Sequence, residues 1–215
     1  IHQDADLDHA VERMFIGGFA YSGQVCIHTQ RMLVHEAIYD QFKNQLKAKV
    51  EDITIGPPSD HNTQFSCMIS QHHADRVETW TREALKNGST PLLPQKKEGT
   101  LLHPIILENV KRNEKVYAEE VFGPVVILEK YSTIEAAIQK VNDSKFGLQA
   151  SIFTNQHDII QKCFTQIDVG GLIVNDSTTF RVDHMPYGGI KDSGLGREGL
   201  RYAIEDMSEI KLLVQ

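Results

Sequence analysis

The sequence predicts an α/β fold: a largely parallel sheet with helices on both faces. Short apolar runs such as Pro104-Ile105-Ile106-Leu107 and Pro124-Val125-Val126-Ile127-Leu128 lack polar alternation, which suits strands covered on both sides. Segments with apolar residues at helical spacing alternate with them. Strands that alternate with helices of this length form βαβ units, whose strands run parallel.

In chain order, Asp4 and Asp6 offer N-cap oxygens to a helix carrying Leu7, Ala10, Val11, Met14 and Phe15 on one face. Gly17, Gly18 and Gly23 then loosen the segment that delivers Cys26. A strand at Met32-Leu33-Val34-His35 leads into a helix over residues 36–50, where Ile38, Phe42, Leu46 and Val50 recur at helical spacing. Gly56-Pro57-Pro58 turns the chain. A helix over residues 70–87 stops at Gly88, which is free to adopt a left-handed cap, and the polar stretch 89–100 reads as loop. After the two apolar strands come a helix over 133–143, a strand over 148–153, a helix over 157–167 and a strand over 172–175. A Gly188-Gly189 loop precedes a helix over residues 195–206 and a last apolar strand, 210–214. That strand needs a partner in its own sheet or in a neighbouring subunit.

The 215 residues suit one domain with at most an appendage. With 40% hydrophobic and 24% charged residues, the chain can bury a core without disulfides or metals. A net charge of −7 argues against nucleic acid as a partner. No apolar run approaches the roughly 18 residues a membrane span requires, so no membrane partner is expected. Cys26, Cys67 and Cys163 are odd in number and scattered, which fits a reducing cytoplasm better than a disulfide framework. His72 and His73 read as exposed helix residues, and nothing supplies a third ligand at metal spacing. The chain opens at Ile1 on a helix signal, as a fragment or a trimmed chain would.

Three clusters carry chemistry. The first is Gly23-Gln24-Val25-Cys26; the second is Glu119-Glu120-Val121-Phe122-Gly123-Pro124. The third is Asn175 followed by Pro186-Tyr187-Gly188-Gly189-Ile190-Lys191-Asp192-Ser193-Gly194-Leu195-Gly196-Arg197-Glu198. Singly each has an ordinary structural meaning, since a free cysteine packs as a small hydrophobe and a Gly-Pro pair can simply start a strand. The glycine-rich stretch lacks both the Walker lysine spacing and the strand-following pattern of a dinucleotide fingerprint.

Together, in this order, the three clusters resemble the C-terminal catalytic domain of the aldehyde dehydrogenases, from about Asp4 to the last residue. The resemblance implies that Cys26 is the nucleophile that attacks the aldehyde carbonyl. The resulting thiohemiacetal passes hydride to NAD or NADP and becomes a thioester that water hydrolyses. Such chemistry suits a thiolate, which adds readily to carbonyls and leaves a reactive acyl group. The resemblance also assigns the Cys26 N–H to the oxyanion site, Glu120 to the ribose beside nicotinamide, and Phe122 to packing against that part of the cofactor. Gln24 and Arg31 become framework residues, while Asn175, Gly188, Gly189 and Lys191 order the loops.

The same resemblance divides the chain into a catalytic domain, 1–195, and a C-terminal helix and oligomerisation strand, 196–215. It places the cofactor-binding domain, the water-activating glutamate and an oxyanion asparagine outside these residues. It therefore implies that the 215 residues alone are inactive, and that the intact enzyme is a homodimer or tetramer. Phe180-Arg181-Val182-Asp183-His184-Met185-Pro186 resembles the branch that includes lactaldehyde, semialdehyde and non-phosphorylating glyceraldehyde-3-phosphate dehydrogenases. Arg181 could there hold an anionic group by paired hydrogen bonds. Val25 replaces the basic residue that phosphate-using members carry before the cysteine, so the expected substrate is a small polar or anionic aldehyde. The alternatives are a CoA-acylating relative and a non-catalytic scaffold that keeps the fold. A Cys-His hydrolase is disfavoured, because proximity of His28 along an extended segment does not aim its ring at Cys26.

Overall fold

The computed structural model describes residues 1–215. Its helices are α1 (Leu7–Phe19), α2 (Tyr39–Glu51), α3 (Gln71–Lys86), α4 (Lys115–Ala118), α5 (Ile134–Asn142), α6 (His157–Gln166) and α7 (Leu200–Asp206). The strands are β1 (Arg31–His35), β2 (Thr90–Pro91), β3 (Lys97–Glu98), β4 (Leu101–Leu102), β5 (Ile105–Glu108), β6 (Val125–Tyr131), β7 (Phe146–Gly147), β8 (Gln149–Ile152), β9 (Gly171–Val174) and β10 (Ile190–Lys191).

The main sheet has the order β1-β6-β5-β2, parallel except for the short antiparallel edge strand β2. Its apolar runs are buried on both faces, as expected. Ile106, Val126 and Leu128 point into a core with Phe19 of α1 and Phe42 and Leu46 of α2. Their neighbours Ile105, Leu107 and Val125 point the other way, onto Val77 and Ala84 of α3 and Val116 of α4. This alternation is why the runs carry no polar residues: a strand between two helical layers has no solvent face. Truncating a large side chain of this core, Phe42 of α2 for instance, costs about 3–5 kcal/mol.

β8 and β9 form a separate parallel pair, packed through Ile152 against α5 and α6. The first residues join it to the main sheet. The Ile1 amino group donates to the Leu33 carbonyl (2.7 Å), His35 N–H donates to the Ile1 carbonyl (3.0 Å), and His2 N–H donates to the Phe153 carbonyl (3.0 Å).

Several expectations need correction. Asp6 caps α1, but Asp4 instead accepts from the Thr154 hydroxyl and the Asn155 N–H. Gly17 and Gly18 do not loosen the chain. They lie inside α1, and a Cβ on Gly17 would come 2.5 Å from Thr29 Oγ1. Residues 89–100 are not all loop, since β2 and β3 lie there. The last helix starts at Leu200 rather than 195, because Gly194, Gly196 and Gly199 hold φ of 134°, 72° and 118°, outside helical geometry. Residues 210–214 form no strand within the chain, and Ile210, Leu212, Leu213 and Val214 are exposed. No helix is long and apolar enough to cross a membrane.

Candidate active site

Cys26 precedes β1, and Glu120–Pro124 precede β6. Because β1 and β6 are parallel neighbours, the two segments emerge at the same edge of the sheet. This is the N-terminal edge, not the carboxyl ends where open α/β sheets usually bind ligands.

A tight turn over Ala20–Gly23 joins α1 to the cysteine. Tyr21, Ser22 and Gly23 all adopt left-handed φ, at 53°, 55° and 69°. Two consecutive non-glycine residues in that region cost about 1–2 kcal/mol each, so the turn needs fastening. The Ser22 hydroxyl donates to the Ser66 carbonyl (2.6 Å), and the Gln24 carboxamide oxygen accepts from Ile69 N–H (2.9 Å). Gly23 lies directly on the Gly123-Pro124 peptide, where a Cβ would meet the Gly123 carbonyl oxygen at 2.1 Å. On the other side, the Thr178 hydroxyl donates to the Ile27 carbonyl (2.7 Å) and lies 2.6 Å from Thr29 Oγ1. The Cys26 side chain is exposed, its Sγ is 2.8 Å from Tyr187 Oη, and its backbone N–H makes no hydrogen bond within the chain.

Gln30 fastens the second cluster to the first. Its carboxamide nitrogen donates to the Val116 and Glu119 carbonyls (2.9 Å each), and its oxygen accepts from Val121 N–H (3.0 Å). Glu119 pairs with Lys145 (2.6 Å), whereas the exposed Glu120 carboxylate has no hydrogen-bond or ion-pair partner. Phe122 follows at φ 47° with its ring 39% exposed, so an aromatic surface is left open beside the free carboxylate. Burial lowers the pKa of the nearby Arg76 guanidinium, and the Glu120 charge opposes that shift.

Arg31 bonds the Tyr117 hydroxyl (2.6 Å) and the Lys140 carbonyl (2.8 Å), away from the thiol. Asn175, at φ 54°, clamps Thr154 through both ends of its carboxamide. Lys191 donates to the Asn142 and Ser144 carbonyls (3.1 and 3.2 Å). A Cβ on Gly189 would sit 2.3 Å from Ser193 Cβ, and one on Gly188 would sit 2.7 Å from the Gly196 carbonyl oxygen. Arg181 pairs with Glu198 (3.1 Å), and its guanidinium lies 4.3 Å from the centre of the Tyr187 ring. His28 turns away from Cys26: its Nε2 bonds the Gly18 carbonyl (2.9 Å), and burial lowers its pKa to about 4. It stays neutral and engaged at neutral pH, so it is not the base for this thiol.

Cys26 lies between two cavities. One, of about 490 Å³, is lined by Val25, Glu120, Phe122, Phe146 and Thr178; the other, of about 520 Å³, by Tyr187, Gly188, Gly189, Arg197 and Glu198. Tyr187, Gln30, Thr178 and Glu198 were missed as site residues in the sequence. Tyr187 and Glu198 fall inside a motif whose glycines dominated the reading. Gln30 sits four positions from Cys26 with nothing local to mark its partners.

A profile described as the aldehyde dehydrogenase family matches residues 1–213. The chain is 47% identical over 214 residues to a 3-sulfolactaldehyde dehydrogenase of Priestia megaterium, covering 100% of this chain and 45% of that protein. It is 40% identical over 212 residues to a lactaldehyde dehydrogenase of Methanocaldococcus jannaschii, covering 99% and 45%. Among solved structures, aldehyde dehydrogenase 21 of Physcomitrella patens, in complex with its reaction product succinate, superposes with a TM-score of 0.97 at 41% identity, covering 100% and 45%. A glyceraldehyde-3-phosphate dehydrogenase of M. jannaschii complexed with NADP gives 0.94 at 40%, covering 98% and 46%. The chain thus spans about half the length of the curated relatives it matches.

Proposed function

The chain belongs to the aldehyde dehydrogenase family, and from that premise we propose that it carries the nucleophile of an NAD- or NADP-dependent enzyme oxidising a small polar or anionic aldehyde. The observation that carries this reading is the position of Cys26 between two cavities, one bordered by Glu120 and Phe122 and the other by Tyr187 and Glu198. A nucleophile that must hold a substrate against a coenzyme needs access to both.

The coenzyme side fits. An unpaired carboxylate at Glu120 can accept hydrogen bonds from ribose hydroxyls, and the open Phe122 ring can pack against a planar ring. NAD or NADP held there would supply a hydride acceptor. On the substrate side, the Cys26 thiolate adds to the carbonyl carbon, and the carbonyl π pair moves onto oxygen. The free Cys26 N–H is positioned on the same residue to donate to that oxyanion. Once acylated, Cys26 carries a thioester that water can hydrolyse. The thiol's polar partner is Tyr187 rather than a carboxylate. The family resemblance, which draws its water-activating glutamate from the rest of the enzyme, supports the expectation that the 215 residues alone are inactive.

Names of relatives support the substrate class, since 3-sulfolactaldehyde and lactaldehyde are both small and polar. Arg181 is the candidate anion contact, with Glu198 as its present partner. Arg181→Ala in the intact protein should lower kcat/KM for an anionic aldehyde about 10- to 100-fold, as expected for loss of hydrogen bonds to a charged group. A neutral aldehyde of equal length should change by less than about threefold, the weak end for an ordinary hydrogen bond. Equal losses on both would remove the anion contact. The exposed apolar tail at Ile210–Val214 supports a strand that pairs with a second copy, hence a homodimer or tetramer. Three free thiols support a reducing, cytoplasmic setting.

A further inference from the structure

We propose that Tyr187 holds Cys26 as a thiolate, by donating its phenolic proton to Sγ. This inference rests on Cys26 being the nucleophile and goes beyond it by assigning the group that sustains the reactive form. Oη and Sγ are 2.8 Å apart, Tyr187 is buried and Cys26 exposed. A phenol is a better donor than a thiol, and a thiolate accepts only, so ionisation of Cys26 fixes the direction of the bond. The donor is held in place. Tyr187 N–H donates to the Glu198 carbonyl (3.1 Å), Glu198 N–H donates to the Tyr187 carbonyl (2.6 Å), and the Arg181 guanidinium lies over the ring. Burial first, and the bond to Cys26 second, raise the phenol above its ordinary pKa, so Tyr187 keeps its proton where thiols ionise.

Arg181 and Glu198 act on Tyr187 with opposite signs, and Arg197 and Asp206 line the cavity on that side. The other cavity is lined by Glu119, Glu120, His28, Arg31 and Asp192, with Tyr117, Tyr131 and Cys163 also on its wall. His28 is bonded to Gly18 and Glu119 to Lys145, so neither competes for the thiol. Tyr187 is the only side chain hydrogen-bonded to Cys26. When the thiolate attacks a carbonyl its charge moves to the substrate oxygen, and the phenol is released from its acceptor.

Tyr187→Phe keeps the ring and the face on which Arg181 stacks while removing the donor. The test is the rate of iodoacetamide alkylation of Cys26 in the intact protein, followed by peptide mass spectrometry from about pH 6 to 10, which brackets ordinary thiol ionisation. At about pH 7 the variant should react about tenfold more slowly, the low end for a hydrogen bond to a charged acceptor. By about pH 10, above the range of ordinary thiol ionisation, it should match or overtake the wild type, because an unbonded thiolate is the stronger nucleophile. Equal rates at pH 7, or a slowdown of the same size at every pH, would overturn the proposal, the latter marking a purely structural disturbance. A wild-type Cys26 that reacts no faster than Cys67 would instead undermine the nucleophile reading itself. A Tyr187→Leu variant, with neither ring nor donor, should show the same pH-dependent deficit, and absence of that deficit would also count against Tyr187.

Discussion

Replacing Gly23 with alanine tests whether the turn that delivers Cys26 depends on direct contact with the turn that carries Glu120 and Phe122. Two penalties add at this position. The φ of +69° costs a side-chain-bearing residue about 1–2 kcal/mol. The new methyl would also lie 2.1 Å from the Gly123 carbonyl oxygen and 2.4 Å from its carbon, well short of the 3.4 Å at which ordinary contact begins. Both atoms are backbone, and Gly123 is itself confined, since a Cβ there would meet Val77 at 2.9 Å. Relief therefore requires moving one turn off the other, an overpacking cost of about 1–3 kcal/mol. The expected destabilisation is about 2–5 kcal/mol, a large share of the 5–15 kcal/mol that holds a typical domain together. Urea unfolding of the intact protein measures it. Gly99→Ala is the internal control: its φ of +60° is similar but nothing lies within 4 Å of the new methyl, so it should show the conformational penalty alone. If Gly23→Ala lost no more stability than Gly99→Ala, the close contact between the two turns could not be what sets the site.

Gln30→Leu should cost about 2–4 kcal/mol by leaving the Val116 and Glu119 carbonyls and the Val121 N–H without partners. Hydrogen exchange at Val121 should quicken with it, and an unchanged exchange rate would show that the clamp is not what orders that segment. His28 predicts a pH dependence. Its folded pKa of about 4 lies below the ordinary 6.5, so the unfolded chain binds the proton first. The stability His28 contributes is complete above about pH 6.5 and is lost as pH falls toward about 4, at most about 3 kcal/mol. Unfolding curves of His28→Gln should show a slope shallower than wild type across that window, and parallel curves would refute the assignment.

The elements of the main sheet were legible because burial on both faces leaves a local record. Ile105–Leu107 and Val125–Leu128 are uniformly apolar, and only a strand between two helical layers needs such a run. Ser70 and Thr133 were readable as helix starts for the same local reason, since a cap bonds N–H groups three residues on. The sequence is silent where one segment meets another. Gly17 and Gly18 look in isolation like a flexible joint, yet the helix uses them to let Thr29 and Val126 come close. Gly170, where a Cβ would fall 1.7 Å from the Gly188 carbonyl oxygen, carries no local sign that the glycine-rich loop rests on it.

The site divides along the same line. Cys26, Glu120, Phe122 and the Pro186–Glu198 stretch stand out in the sequence alone as candidates, by residue type and order. Only the tertiary structure decided which groups meet. It paired Glu119 with Lys145 and left Glu120 free, turned His28 to Gly18, stacked Arg181 on Tyr187 and put the Tyr187 hydroxyl against the thiol. Order along a chain records what each residue can do. A contact between Cys26 and a residue 161 positions later depends on how strands, turns and close glycine contacts bring them together, and no local pattern encodes that distance.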